Sequence, residues 1–359
     1  MVLLEEAGFH LLLYDSDSEV KYIGFLTTFF SRLKSNGEII FDATCKSNPN
    51  KIVIWFLLSQ KLTNLFCIDK TNALGFELYA IIGQINGTGF PMVYLFLDNV
   101  KKDDGIRTTI LLEFFKQLQN RGLQNPEFFL TDKDWAQINA ALSAWPNIKI
   151  QLCLWHLKRA VKKRLADSSI PKRSIYDSEF ARTQTAFVDA TFHPFPRDNV
   201  TGIRSTSSVN QRFCPKKLRE KFWNNSISFS PSSINTHWHE PVLSSHDIWL
   251  LSVREMHEFC VDHNLKNVWA YLWTNWYQNN TWMLWARAAN SEKLFKTTML
   301  IEAHWKIIKR DFLSKFFRPR LDLVIFVIVN RLLPHHQRQY NQLISGREIA
   351  SWRKDMKRE

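Results

Sequence analysis

Two apolar runs joined by a glycine turn set the tightest limit on what this chain can fold into. Residues 74–85 (LGFELYAIIGQI) and 90–97 (FPMVYLFL) are rich in β-branched and aromatic residues and read as strands. Between them Asn86-Gly87-Thr88-Gly89 is a tight-turn signal, so the two runs pair as a hairpin. Residues 38–44 (EIIFDAT) read as a short strand before the hairpin. Residues 105–120 carry apolar side chains at helical spacing, with Gly122 just past their end. Residues 127–130 read as a fourth strand running into Thr131-Asp132-Lys133-Asp134. Residues 135–144 read as a helix stopped by Pro146, residues 148–154 as a fifth strand, and a basic helix follows.

The order is strand, hairpin, helix, strand, helix, strand, helix. A three-strand meander followed by alternating α/β is the order of the ribonuclease H-like fold, a mixed sheet with flanking helices. Residues 36–166 then form the first part of that core, after an N-terminal helical lead-in at 1–35. Residues 167–212 are rich in Ser, Thr, Pro and Arg and read as a connector. Residues 213–290 hold eight of the fourteen Trp and repeat apolar residues every three or four positions. They read as an all-helical insertion whose Trp residues form its core. Residues 291–335 return to the core through helices at 297–317 and 321–333, the second stopped by Pro334. A frayed basic tail, 336–359, ends the chain.

The net charge is +13, and it is not evenly spread. Residues 151–175 hold seven Lys or Arg against one acid, and residues 303–359 hold thirteen against five. The rest of the chain is near neutral. Lys158, Arg159, Lys162, Lys163 and Arg164 fall mostly on one helical face, where they can track the phosphates of DNA. The five cysteines are odd in number and scattered, which excludes a small disulfide scaffold and fits a reducing compartment. No secretory leader and no membrane-spanning apolar run stand out, so no membrane partner is expected.

Asp42 and Asp132 stand at or near the ends of expected central strands, and Glu302 lies on a later helix. Carboxylates there point into the cleft outside a sheet. Hard oxygen donors suit Mg²⁺ or Mn²⁺, and a pair of such ions supports in-line phosphoryl transfer. The segments FDAT, LGFELYAIIGQINGTGFPMVYLFL, DGIRTT, FFLTDKDWAQINAA, IKIQLCLWHLKRAVKKRL, VWAYLWTNWY, TTMLIEAHWKIIKRDFL and RPRLDL resemble Mutator-like element (MULE) transposases of the fungal type. The resemblance spans roughly residues 4 to 350. It implies a DDE catalytic core with a helical insertion between the second and third acids. It makes Asp42, Asp132 and Glu302 the three acids, with Asp134 as the other choice for the second. It further implies a nuclear protein that cuts transposon ends and joins them to target DNA, and it allows a homo-oligomer. The alternative is a domesticated derivative that binds DNA as a regulator without catalysis.

Cys153-Leu154-Trp155-His156 matches the CxxH element of these transposases. A Cys and a His three apart can share a Zn²⁺ ion, and Cys214, His237 and His239 are candidates to complete the site. Two departures stand out. A Cys-x-Cys…Cys-x-His element is missing after the core, and there is little room before Asp42 for a separate DNA-binding domain. The first motif is also broken. Removing the 24 residues Lys46 to Asp69 leaves DATCKTNALGFELY and shortens the separation of the first two acids from 90 to 66 residues. The removed text is rich in Ile, Leu, Phe, Asn and Lys, and its ends can be encoded with splice-site sequences. It reads as a retained intron of about 72 nucleotides, the other reading being an ordinary surface insertion.

Overall fold

The computed structural model describes residues 9–16, 20–35, 38–44, 76–98, 104–169, 174–194, 213–225, 243–286, 288–289, 298–317 and 319–346. The suspected insert at 46–69, His237, His239 and the end of the chain lie outside the described residues. The chain divides into two compact units, Met1–Cys153 with Phe295–Glu359, and Leu154–Leu294. Among the described residues no helix is long and apolar enough to cross a membrane.

The first unit is built on seven strands: β1 (His10–Asp15), β2 (Tyr22–Leu26), β3 (Glu38–Thr44), β4 (Glu77–Ile85), β5 (Thr88–Leu97), β6 (Phe128–Thr131) and β7 (Lys149–Leu152). Their order across the sheet is β1-β2-β5-β4-β3-β6-β7. Strands β3, β6 and β7 run parallel to one another, and the remaining pairings are antiparallel. This mixed sheet with flanking helices is compatible with a ribonuclease H-like fold. The β4–β5 hairpin turns on Asn86 (φ 48°) and Gly87 (φ 77°), both in the left-handed region that a two-residue turn of this hand requires.

Strands β1 and β2 correct the expected helical lead-in: residues 10–15 and 22–26 add two strands to the sheet edge beside β5. The β2 residues Phe25 and Leu26 are buried, and pairing with β5 satisfies the backbone of a strand that would otherwise be an edge. Helix α1 (Phe30–Leu33) follows.

One face of the sheet is covered by α2 (Asp104–Asn120) and α3 (Trp135–Ala144). Phe41 anchors it, with ring centroids 5.1 Å from Phe115, 5.5 Å from Tyr79 and 5.7 Å from Phe129. Each fully buried phenyl ring of this kind contributes about 1.5–3 kcal/mol through the hydrophobic effect. Strand side chains alternate between faces, so Asp42 points away from this cluster.

In the second unit, α4 (Leu154–Ala166) and α5 (Ser178–Gln184) precede α6 (Lys216–Asn225), α7 (Ser245–Asp262), α8 (Lys266–Leu272) and α9 (Asn279–Trp285). Helix α7 starts with a reciprocal cap between Ser244 and Asp247. Trp249, Trp269, Trp273, Trp276, Trp282 and Trp285 are buried. The Trp249, Trp269 and Trp285 indoles donate to the Tyr277 carbonyl, the Tyr176 hydroxyl and the Trp276 carbonyl, each at 2.8 Å. These Trp residues are core.

The chain returns to the first unit as α10 (Met299–Ile307), α11 (Leu321–Val327) and α12 (Leu333–Ile344). Contrary to the expectation from sequence, Pro334 does not stop a helix. The helical run continues past Pro334: a wide π-turn at Ile328–Leu332 joins α11 to α12, and that local widening accommodates the proline near the start of α12. Part of the expected basic tail is therefore helical, as far as residue 344.

Candidate active site

Three parallel strands deliver three chemistry-bearing residues to one edge. The strand register pairs Ile40 with Leu130 and Leu130 with Gln151. Asp42 lies two residues past Ile40 on β3, beyond the last residue of that strand paired with β6, while Asp132 and Cys153 directly follow the last residues of β6 and β7. The ladder continues that far on one side, since the Cys153 amide donates to the Thr131 carbonyl at 2.9 Å. Donor atoms of Asp132 and Cys153 lie within 4.8 Å of one another, and neither Asp42 nor Glu302 is in that group. The edge lies where β3 meets β4 antiparallel and β6 parallel, the kind of switch point where ligands bind outside carboxyl strand ends.

A row of paired residues fixes the face. Asp42 pairs with Ala80, and Ala80 pairs with Tyr94. Directly opposed residues project to the same face of a sheet. The Tyr94 hydroxyl hydrogen-bonds His304 Nε2 on α10 at 2.9 Å. Asp42, which is 5% exposed, thus faces the side on which α10 packs. Glu302 is in the first turn of α10 and is exposed.

Asp134 is committed elsewhere. Its carboxylate accepts from the Ala136 amide at 3.0 Å, from Gln137 Nε2 at 3.2 Å and from Arg107 at 2.6 Å. It is the N-cap of α3, and burial at 4% exposure makes the Arg107 partner necessary. Thr131 donates to Gln137 Oε1 at 2.6 Å and ties the end of β6 into the same network. Sequence reading missed Arg107, although it stands inside the DGIRTT motif. Between the two acids, burial pulls the Lys133 ammonium down from its ordinary range to about 8.

Among the described residues, one group of donors can hold a metal ion. Ligand atoms of Asp132, Cys153 and His156 lie within 4.8 Å of one another. One oxygen, one sulfur and one imidazole nitrogen form a mixed set that suits a borderline divalent ion such as zinc. The partner that the structure gives the CxxH pair is thus Asp132. Cys214, expected as a further ligand, is not in this group. Its thiol makes a long contact to the Pro215 carbonyl, and burial raises its pKa.

A family model for the MULE transposase domain matches residues 67–160. This segment is a MULE transposase domain. No curated protein matches the chain. The MULE match runs from β4 into α4 and includes Asp132, Cys153 and His156, while Asp42 and Glu302 stand outside it.

The MULE domain ends in the basic helix α4. Leu157, Val161 and Leu165 are buried at four-residue spacing, and Lys158, Arg159, Lys162 and Lys163 are exposed on the other side. Arg164 differs from the other four. Its guanidinium stacks 3.8 Å from the Phe213 ring centroid and pairs with Asp167 at 3.2 Å. Trp155 is half exposed, with Arg159 5.0 Å above its ring.

Proposed function

We propose that this chain is the core of a DDE-type transposase that cuts and joins DNA strands with divalent metal ions. The observation that carries the proposal is that β3 and β6 are neighbouring parallel strands, with Asp42 near the end of one and Asp132 just past the end of the other, and Asp42 on the face toward α10. Asp42, Asp132 and Glu302 are the oxygen donors for Mg²⁺ or Mn²⁺. When bound, such ions activate an attacking oxygen and neutralise charge on the leaving one. Asp132 has two carboxylate oxygens, so one can serve the Asp42 side and the other the Cys153–His156 side, where Zn²⁺ is the fitting ion. The Arg107–Asp134–Gln137 network holds the backbone that carries Asp132. The exposed cations Lys158, Arg159, Lys162 and Lys163 hold phosphates of the DNA, each contact releasing counterions.

On this reading residues 213–290 are a helical insertion of the catalytic core. The protein acts in the nucleus, on transposon ends and target DNA, as a homo-oligomer. Residues 46–69 are a translated intron. The family match opening at residue 67, close to where the motif resumes at Lys70, supports this. Transcript sequencing that finds the segment in every mature message would refute the intron.

Strand nicking by the purified full chain tests the catalytic proposal. Activity should need Mg²⁺ or Mn²⁺, vanish with a chelator and return when the ion is restored. Asp132→Asn should abolish nicking and leave DNA binding within about threefold, because the phosphate contacts lie on another element. A parent protein that binds DNA and never nicks it would favour the regulator. An Asp132→Asn protein that nicks normally would remove the catalytic assignment.

A further inference from the structure

The Cys153 sulfur accepts two hydrogen bonds from a single residue 145 positions away. The Thr298 amide donates at 3.3 Å and the Thr298 hydroxyl at 3.2 Å. Both residues are almost wholly buried, Cys153 at 2% and Thr298 at 1% exposure. A neutral thiol is a weak acceptor, so it compensates poorly for taking an amide and a hydroxyl out of water. A thiolate bound to a metal is a much better acceptor, and donors behind a ligand atom orient it and tune it. Asp132 and His156 stand beside the same sulfur with the remaining donors.

Thr298 is also the residue from which α10 starts. Its carbonyl accepts the Glu302 amide at 3.0 Å, so Glu302 lies one helical turn further on. Residues four apart share a helix face. One contact therefore joins the Cys153 sulfur to the start of the helix that carries the third acid.

We infer that Thr298 is a positioning residue that couples metal loading at Cys153 to the seating of the helix bearing Glu302. This rests on the metal centre proposed above. On loading, the Cys153 thiol releases its proton to solvent and the sulfur ligates the ion. The two Thr298 donors then meet a full negative charge, and the first turn of α10 is held at the carboxyl edge of the sheet. Without metal both hydrogen bonds weaken and that turn loosens.

Titration of the full chain with Co²⁺ alone, a spectroscopic stand-in for Zn²⁺, tests the coupling through the thiolate-to-metal band in the near ultraviolet. Thr298→Val keeps the side-chain shape and removes the hydroxyl donor. It should weaken Co²⁺ binding at least about tenfold and shift the band, whereas Thr298→Ser should stay within about twofold of the parent. Hydrogen exchange of amides 299–307 should slow on Co²⁺ addition in the parent and the Ser variant, and respond less in the Val variant. Thr298→Ala provides a second truncation if the Val variant does not fold. A truncated variant with parental affinity, band and exchange response would overturn the inference and leave the metal centre standing. A parent with no band would show that Cys153 is not a ligand, and both would fall.

Discussion

Asp132 and Asp134 are two residues apart and have different work to do. Asp134 caps α3 and neutralises Arg107 inside the fold, whereas Asp132 stands half-buried beside Cys153 and His156. Sequence alone left the choice of second acid open, because both follow a strand and both fit a carboxylate motif. The cap settles what Asp134 does. Asp134→Ala removes the cap and the 2.6 Å ion pair to Arg107, so it should cost about 2–4 kcal/mol in urea unfolding. Asp132→Asn should leave the unfolding midpoint nearly unchanged. Equal losses in the two variants would contradict the division of roles. Thr298 and Arg107 were illegible as site residues for a plain reason. Their partners lie 145 and 27 positions away, and no local pattern marks such contacts.

Among the elements, local chemistry announced itself well and long-range pairing did not. The β4–β5 hairpin and α3 match the residues expected from Asn86-Gly87 and from the run between Asp134 and Pro146. Strands β1 and β2 escaped because they are short and no tight turn signals their pairing. Helices α10 and α12 meet through buried histidines. His304 and His336 stack with ring centroids 5.5 Å apart. Burial holds the His304 pKa well below its usual range, and burial with the neighbouring His335 holds His336 at about 4. A lowered pKa means that the unfolded chain binds more protons as pH falls below about 6.5. Stability is therefore full above that pH and declines toward pH 4, with His336 alone costing about 2 kcal/mol between pH 7 and 5. Urea midpoints across that range should fall, and His336→Phe should flatten the decline. A parent equally stable at pH 5 and 7 would contradict it. In α4, neutralising Lys158, Arg159, Lys162 and Lys163 should flatten the salt dependence of DNA binding by up to about one unit for each phosphate no longer held. Arg164→Ala should instead lower thermal stability, since Arg164 is held by Phe213 and Asp167.

For the whole molecule, the sheet order explains how residues far apart in sequence can serve one chemistry. Strands β3, β6 and β7 are neighbours in the sheet and parallel, so their carboxyl ends share an edge. That Asp42, Asp132 and Cys153 come from three adjacent strands follows from sheet order, which a sequence cannot display because it depends on which strands pair. The resemblance to MULE transposases supplied the acids one by one, and the pairing shows that the strands leading to Asp42 and Asp132 are neighbours. The same arrangement predicts where ions collect. The most direct test is an anomalous difference map from crystals of the protein grown with Mn²⁺. The account predicts an ion about 2.2 Å from carboxylate oxygens of both Asp42 and Asp132, with Glu302 approaching it. A map with Mn²⁺ bound elsewhere, and none beside either aspartate at saturating concentration, would contradict it.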